Sequence, residues 1–117
     1  MGNNTILYAA ILVAVAFVVI QRLRSRKSPS AVVSEKIRSG ARIIDVRTPQ
    51  EFAGSAYPNA KNIPLDQLPS RMGDLPKDKP LVLYCASGMR SANAARILKK
   101  AGFTDVINAG SMASMPR

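Results

Sequence analysis

Residues 80–103 read PLVLYCASGMRSANAARILKKAGF, and this stretch decides the fold. Its first six residues, PLVLYC, are apolar without alternation, the pattern of a strand covered on both faces. From Ala92 to Ala101 the period changes. Ala94, Ile97, Leu98 and Ala101 share one helical face, while Arg96, Lys99 and Lys100 lie away from it. Gly102 then supplies a left-handed cap, with Phe103 placed to pack back on Leu98. Between strand and helix lies CASGMRS, residues 85–91. On this reading Cys85 ends the strand, Ser91 opens the helix, and Gly88 permits the sharp turn between them.

The same alternation extends outward. Val32, Val33 and Ile37 are spaced for a short helix, capped by Ser28 or Ser30 and stopped by Gly40. Ile43, Ile44 and Val46 form a second β-branched run. Thr48-Pro49-Gln50-Glu51 follows as a helix start: a Thr cap, Pro at the first helical position, and Glu closing a capping box. AKNIPL at 60–65 reads as a short strand, DQLPSRMGDL at 66–75 as an irregular crossover, and Val106-Ile107 as the start of a last strand. Strands and helices in this order predict an α/β domain with a central parallel sheet, which binds ligands at the carboxyl ends of its strands.

Upstream the composition is different. Ile6 to Ile20, ILYAAILVAVAFVVI, carries no charge. As a helix it spans roughly 22 Å, and extension to Leu23 with Arg22 snorkelling gives about 27 Å against a hydrocarbon core of ~30 Å. The expected division is therefore a transmembrane anchor at residues 5–23, a basic linker at 24–29 and a folded domain at 30–117. A signal peptide cleaved after Ala14-Val15-Ala16 competes, but MGNNT before the apolar run lacks the usual basic residues. A buried core helix also competes, although such helices usually carry a polar stripe and this one has only Thr5 and Tyr8 near its start. Arg22, Arg24, Arg26 and Lys27 follow the span and nothing basic precedes it. The positive-inside tendency then predicts a single-pass protein with a cytoplasmic C-terminal domain, as in a bacterial inner membrane.

The net charge of +10, from 17 Lys or Arg against 7 Asp or Glu, follows the same division. Seven basic residues (Arg22, Arg24, Arg26, Lys27, Lys36, Arg38, Arg42) and the acid Glu35 precede Ile43, so +6 lies there and only +4 in the remainder. This basicity reads as a topology signal and a contact for anionic lipid headgroups, with no nucleic acid implied.

The loop carries the chemistry. Amides converging where a strand turns into a helix make an anion site, and the helix dipole adds to it. There a Cys85 thiolate is stabilised by the amides of Ala86, Ser87, Gly88, Met89, Arg90 and Ser91 and by the Arg90 charge, so no histidine base is required. The chain in fact has no His, which excludes Ser-His-Asp triads, Cys-His pairs and imidazole zinc sites; no metal or cofactor is expected. With a single Cys, neither an intramolecular disulfide nor a CxxC pair can form. A buried structural thiol is the competing reading of Cys85, but the combination of strand end, Gly-containing loop, Arg and helix start favours a reactive one. Arg90 suits either bracing of the loop against an acid or direct anion binding. Asp45 and Arg47, ending the neighbouring strand, are expected near the same rim as supporting residues. Asp45 should pair with Arg47, Arg90 or loop amides, or cap the turn into the Thr48 helix.

IDVRTPQEF at 44–52, GSAYPNAKNIPL at 54–65, YCASGMRSANAA at 84–95 and GFTDVINAGSM at 102–112 together resemble the successive signatures of the rhodanese homology domain. The likeness covers residues 30–112 in order. It implies a small three-layer α/β fold and a cysteine that carries sulfur as a persulfide. The six-residue loop from Cys85 to Arg90 matches the rhodanese length, whereas related phosphatases and arsenate reductases have a loop one residue longer. The implied activity is thiosulfate:cyanide-type sulfur transfer, from a small donor such as thiosulfate to a cyanide or thiol acceptor supplied from outside. The anchor adds the expectation of a membrane-bound protein partner. Two departures stand out: Ser55 and Tyr57 occupy a segment where rhodaneses commonly show His, and the loop has no Lys. A phosphatase or arsenate reductase of the same fold and a non-catalytic docking module are the alternatives.

Overall fold

In the computed structural model the described residues are 2–25 and 28–117. The expected linker residues Arg26 and Lys27 lie outside them. Helix α1 (Gly2–Arg24) contains the expected anchor. It is long and apolar enough to cross a membrane, and none of it is buried, which removes the core-helix reading.

The domain continues through α2 (Pro29–Arg38), β1 (Arg42–Asp45), α3 (Pro49–Gly54) and β2 (Lys61–Asn62). A 3-10 turn at Leu65–Gln67, α4 (Leu68–Arg71) and a second turn at Met72–Asp74 form the irregular crossover. Then come β3 (Leu81–Cys85), α5 (Met89–Lys100), β4 (Val106–Ser111) and a closing turn at Met112–Ser114. Ser28 is the residue that caps α2, accepting a hydrogen bond from Ala31 N at 3.3 Å. The strands make one four-stranded parallel sheet in the order β2-β1-β3-β4.

Both faces are covered, which explains the unbroken apolar runs. Ile44, Leu81, Leu83 and Cys85 face Leu68, Ala94, Ala95, Leu98 and Phe103 on the side of α4 and α5. Ile43, Val82 and Tyr84 face Val33 and Met115 on the other. The end of α5 is secured locally. Gly102, at φ +97°, lets its own amide reach Lys99 O and the Phe103 amide reach Leu98 O at 3.1 Å, a Schellman closure.

One boundary differs from the sequence reading. α5 begins at Met89, two residues before Ser91. Gly88 takes the left-handed conformation (φ +94°) and is itself the helix N-cap, with no side-chain bond capping the helix. Met89, Arg90 and Ser91 are thus first-turn residues, and the turn proper is only Ala86 to Gly88. A Ser at the cap position would have satisfied a first-turn amide; Gly leaves those amides without a side-chain cap.

Candidate active site

Cys85 is the last residue of β3 and is fully buried. The Gly88 amide donates to its Sγ at 2.9 Å, and the Ser91 hydroxyl lies 3.4 Å from the same sulfur. Burial pushes the thiol upward. Hydrogen bonds from the Ser91 hydroxyl and from the Ser91, Gly88 and Ser87 amides outweigh it and hold the thiol at about 7, against an ordinary value of 9.0. The expected contribution of the Arg90 charge is present, since the Cys85 thiolate and Arg90 act on each other, but it ranks below these hydrogen bonds.

Arg90 is instead committed to bracing. Its Nη1 and Nη2 donate to Glu51 Oε1 at 2.7 Å and Oε2 at 3.1 Å. Glu51 also closes the capping box of α3, accepting from the Thr48 amide while its own amide donates to Thr48 Oγ1. The Arg90 guanidinium, helped by the Thr48 amide, holds the Glu51 carboxyl down to about 2. One carboxylate therefore ties the first turn of α3 to the first turn of α5.

Asp45 and Arg47 form the pair anticipated from the sequence, in two ways at once. Asp45 Oδ1 caps the turn by accepting from the Arg47 amide at 2.9 Å, and Oδ2 accepts from Arg47 Nη2 at 2.7 Å. β1 and β3 end side by side, and the Arg47 charge reaches Arg90, but the pair's own bonds run elsewhere. Among the described residues neither bonds to the sulfur or to the loop. The guanidinium lies 5.6 Å from the centre of the Tyr84 ring, whose side chain faces away from the α5 side, and donates to Ser55 O at 2.7 Å. Tyr57 completes this second cluster: its amide donates to the Tyr84 hydroxyl and its own hydroxyl to Pro116 O. Ser55 and Tyr57 thus serve the Tyr84 cluster, and neither bonds to the Cys85 sulfur among the described residues.

Two residues of the Cys85 surroundings were not singled out as site residues. Glu51 carried a legible signal, but only as a capping residue; its bond to Arg90 spans 39 positions. Asn108 carried none. It sits where β4 slips by one residue against β3, with Leu83 opposite Asn108 and Tyr84 opposite Gly110. Asn108 Oδ1 accepts from the Ser91 hydroxyl at 2.7 Å and the Gly110 amide at 2.9 Å, while Nδ2 donates to Gly88 O at 3.2 Å. Of the remaining loop residues, Ala86 and Ser87 are exposed. Met89 is 76% exposed at the lip, the one large apolar side chain outside α1 so exposed among the described residues.

The arrangement surrounds an acidified thiol with amide and hydroxyl donors, and comparison with known sequences gives the family. Residues 28–113 match the rhodanese-like domain. The chain belongs to that family. A Bacillus subtilis protein named uncharacterized protein YqhL is 38% identical over 106 residues, 88% of this chain and 82% of that protein. At 88% coverage the match extends beyond the rhodanese-like domain into the apolar helix. An Allochromatium vinosum sulfurtransferase is 41% identical over 66 residues, 56% of this chain and 62% of its own length. Among solved structures, an E. coli rhodanese with bound anions superposes with a TM-score of 0.62 at 33% identity, covering 66% of this chain and 95% of that one. Relatives of this rhodanese-like chain thus include named sulfurtransferases, in keeping with a general role in sulfur transfer.

Proposed function

We propose that the chain is a sulfurtransferase that carries sulfane sulfur as a Cys85 persulfide, from a small donor such as thiosulfate to an external thiol or cyanide. The observation that carries this reading is the turn into the uncapped start of α5, where the Gly88 amide donates to the Cys85 sulfur at 2.9 Å and the thiol is held at about 7. The Cys85 thiolate attacks the outer sulfur of thiosulfate, a new S–S bond forms, and the old one breaks with its electron pair leaving on sulfite. No proton moves. The charge of the resulting persulfide anion falls among the loop amides, where the α5 dipole also favours it. Cyanide then takes the outer sulfur as thiocyanate and the thiolate returns; a thiol acceptor becomes a persulfide in the same way. The chain has no second Cys, so the acceptor is another molecule.

Phosphate-ester cleavage fits less well, because its alkoxide leaving group needs a general acid. The carboxylate that touches the loop, Glu51, is held at about 2 by Arg90 and has no proton to give at neutral pH. Incubation with thiosulfate, read by intact mass, is expected to add one sulfur at Cys85. Cys85→Ser should abolish both the adduct and thiocyanate release. Activity surviving in Cys85→Ser would end this proposal, and turnover of phosphate or arsenate without a sulfur adduct would favour the longer-loop relatives.

The same proposal includes a division into a membrane anchor at 5–23, a linker at 24–29 and a catalytic domain at 30–117, with the domain cytoplasmic and acting on a membrane-bound partner. It is supported by the apolar exposed helix and the basic residues after it. Protease added to sealed inner-membrane vesicles of known orientation should digest the domain only when the cytoplasmic face is outward. Digestion from the opposite face would reverse the topology, and a mature chain starting between residues 16 and 28 would show a signal peptide instead.

A further inference from the structure

The Ser91 hydroxyl has one proton and four acceptors in reach. Asn108 Oδ1 is at 2.7 Å, Gly88 O at 3.1 Å, and Cys85 Sγ and Gly110 O are each at 3.4 Å. The Asn108 amide cannot be turned over without loss. Its Oδ1 already accepts from the Gly110 amide and its Nδ2 faces a carbonyl, so a flip would set donor against donor and oxygen against oxygen. The shortest bond therefore draws the Ser91 proton toward Asn108, away from the sulfur.

We propose that Asn108 is a positioning residue that sets the acidity of Cys85 by competing with its thiolate for the Ser91 proton. When Cys85 is a neutral thiol, the proton rests on Asn108. A thiolate is the stronger acceptor, so on ionisation the hydroxyl turns to sulfur and Asn108 Oδ1 keeps only the Gly110 amide. Ionisation must then give up the Ser91–Asn108 bond, which keeps the thiol near neutrality instead of lower. In a sulfur carrier this balance matters, because Cys85 must be nucleophile in one half-reaction and leaving group in the other. That purpose rests on the sulfurtransferase reading; the competition itself does not.

Few charges complicate the reading. β4 carries none between Val106 and Ser111. On α5 the nearby cation is Arg90, already paired with Glu51 of α3. The Asp45–Arg47 pair of the β1 turn and the Tyr84 hydroxyl belong to the other face of the sheet.

The test is the pH dependence of iodoacetamide alkylation on the full chain in mild detergent, where Cys85 is the single thiol. Asn108→Leu removes the competitor at similar volume and should lower the alkylation midpoint by about half a pH unit. Asn108→Asp is a stronger acceptor with a negative charge and should raise it by about one unit, a tenfold lower thiolate fraction at pH values well below the midpoint. On a Ser91→Ala background the Asn108→Leu effect should vanish. A residue that merely held the loop in shape would behave oppositely in Asn108→Leu, because loosening the amides raises the midpoint there as it does in Asn108→Asp. A rise in Asn108→Leu, or a fall that persists without the Ser91 hydroxyl, overturns the proposal. Should Asn108→Leu not fold, an unchanged or lower midpoint in Asn108→Asp overturns it equally. Absence of a sulfur adduct with these shifts intact would end the sulfurtransferase reading alone.

Discussion

The sheet presents two neighbouring strand-to-helix turns, built alike and used differently. At the end of β1, the Asp45 carboxylate folds back on the Arg47 amide and the Thr48 hydroxyl caps α3, so side chains satisfy the donors. At the end of β3, the Cys85 sulfur accepts from the Gly88 amide in a similar way, but the helix cap is a glycine without a side chain. A capped turn spends its donors on itself. An uncapped one turns them to the Cys85 sulfur, and on the proposed function that is what separates a structural turn from a reactive one. The two are linked by Glu51, which closes the cap of the first and holds Arg90 of the second.

This contrast can be broken at either turn. The largest effect is expected from Gly88→Ala. The left-handed conformation is strained for a side chain, and the new Cβ would lie 3.3 Å from Gly110 Cα, a backbone atom that cannot swing aside. Displacing the Gly88 amide should raise the Cys85 alkylation midpoint by at least about one pH unit and slow sulfur loading on the order of a hundredfold. It should also remove a pH dependence of stability. A thiol held at about 7, below its ordinary 9.0, contributes stability that is complete above 9.0 and lost as the pH falls through 7. Urea midpoints from pH 6 to 10 report this rise in the parent chain and should be flatter in Gly88→Ala. An unchanged alkylation midpoint would show that the loop amides do not acidify the thiol.

Asp45→Ala attacks the other turn. Removing one partner of a buried pair leaves the Arg47 charge uncompensated and should cost about 3–5 kcal/mol in denaturant unfolding. The alkylation midpoint of the molecules that remain folded should not move, since this pair serves the Tyr84 face. A shift comparable to that of Gly88→Ala would erase the distinction between the turns. The smallest effect is expected at the link. Glu51→Gln frees the Arg90 charge beside the thiol, so the alkylation midpoint should fall by a few tenths of a pH unit. A rise would mean that bracing of the loop by the pair outweighs the charge it neutralises.

Much of this was legible in the linear sequence because its causes are local. Unbroken apolar runs separated by helical stretches specified the parallel sheet, and Thr48 with Glu51 announced a capping box that forms as expected. Residues 85–91 marked the strand-to-helix loop around Cys85 by composition alone. Less legible were features set by contacts distant in the chain. Arg90 was equally suited to an anion or an acid until folding brought Glu51 within 2.7 Å. Asp45 and Arg47 looked like neighbours of Cys85 because they end an adjacent strand. The pleat, however, sends Asp45 to the same face as Ile43 and leaves Cys85 on the other.

By itself, then, the sequence determined the alternation of elements, the apolar helix, the single thiol at a strand end and the glycine that turns the chain beside it. These follow from periodicity, φ preference and the chemistry of one side chain, none of which needs a distant partner. Only the tertiary structure decided where the helix begins, which acid takes Arg90, and that Asn108 reaches the Ser91 hydroxyl. The last depends on a one-residue slip between β3 and β4, and such a register shift is set by the packing of two strands together, leaving no trace in either strand alone.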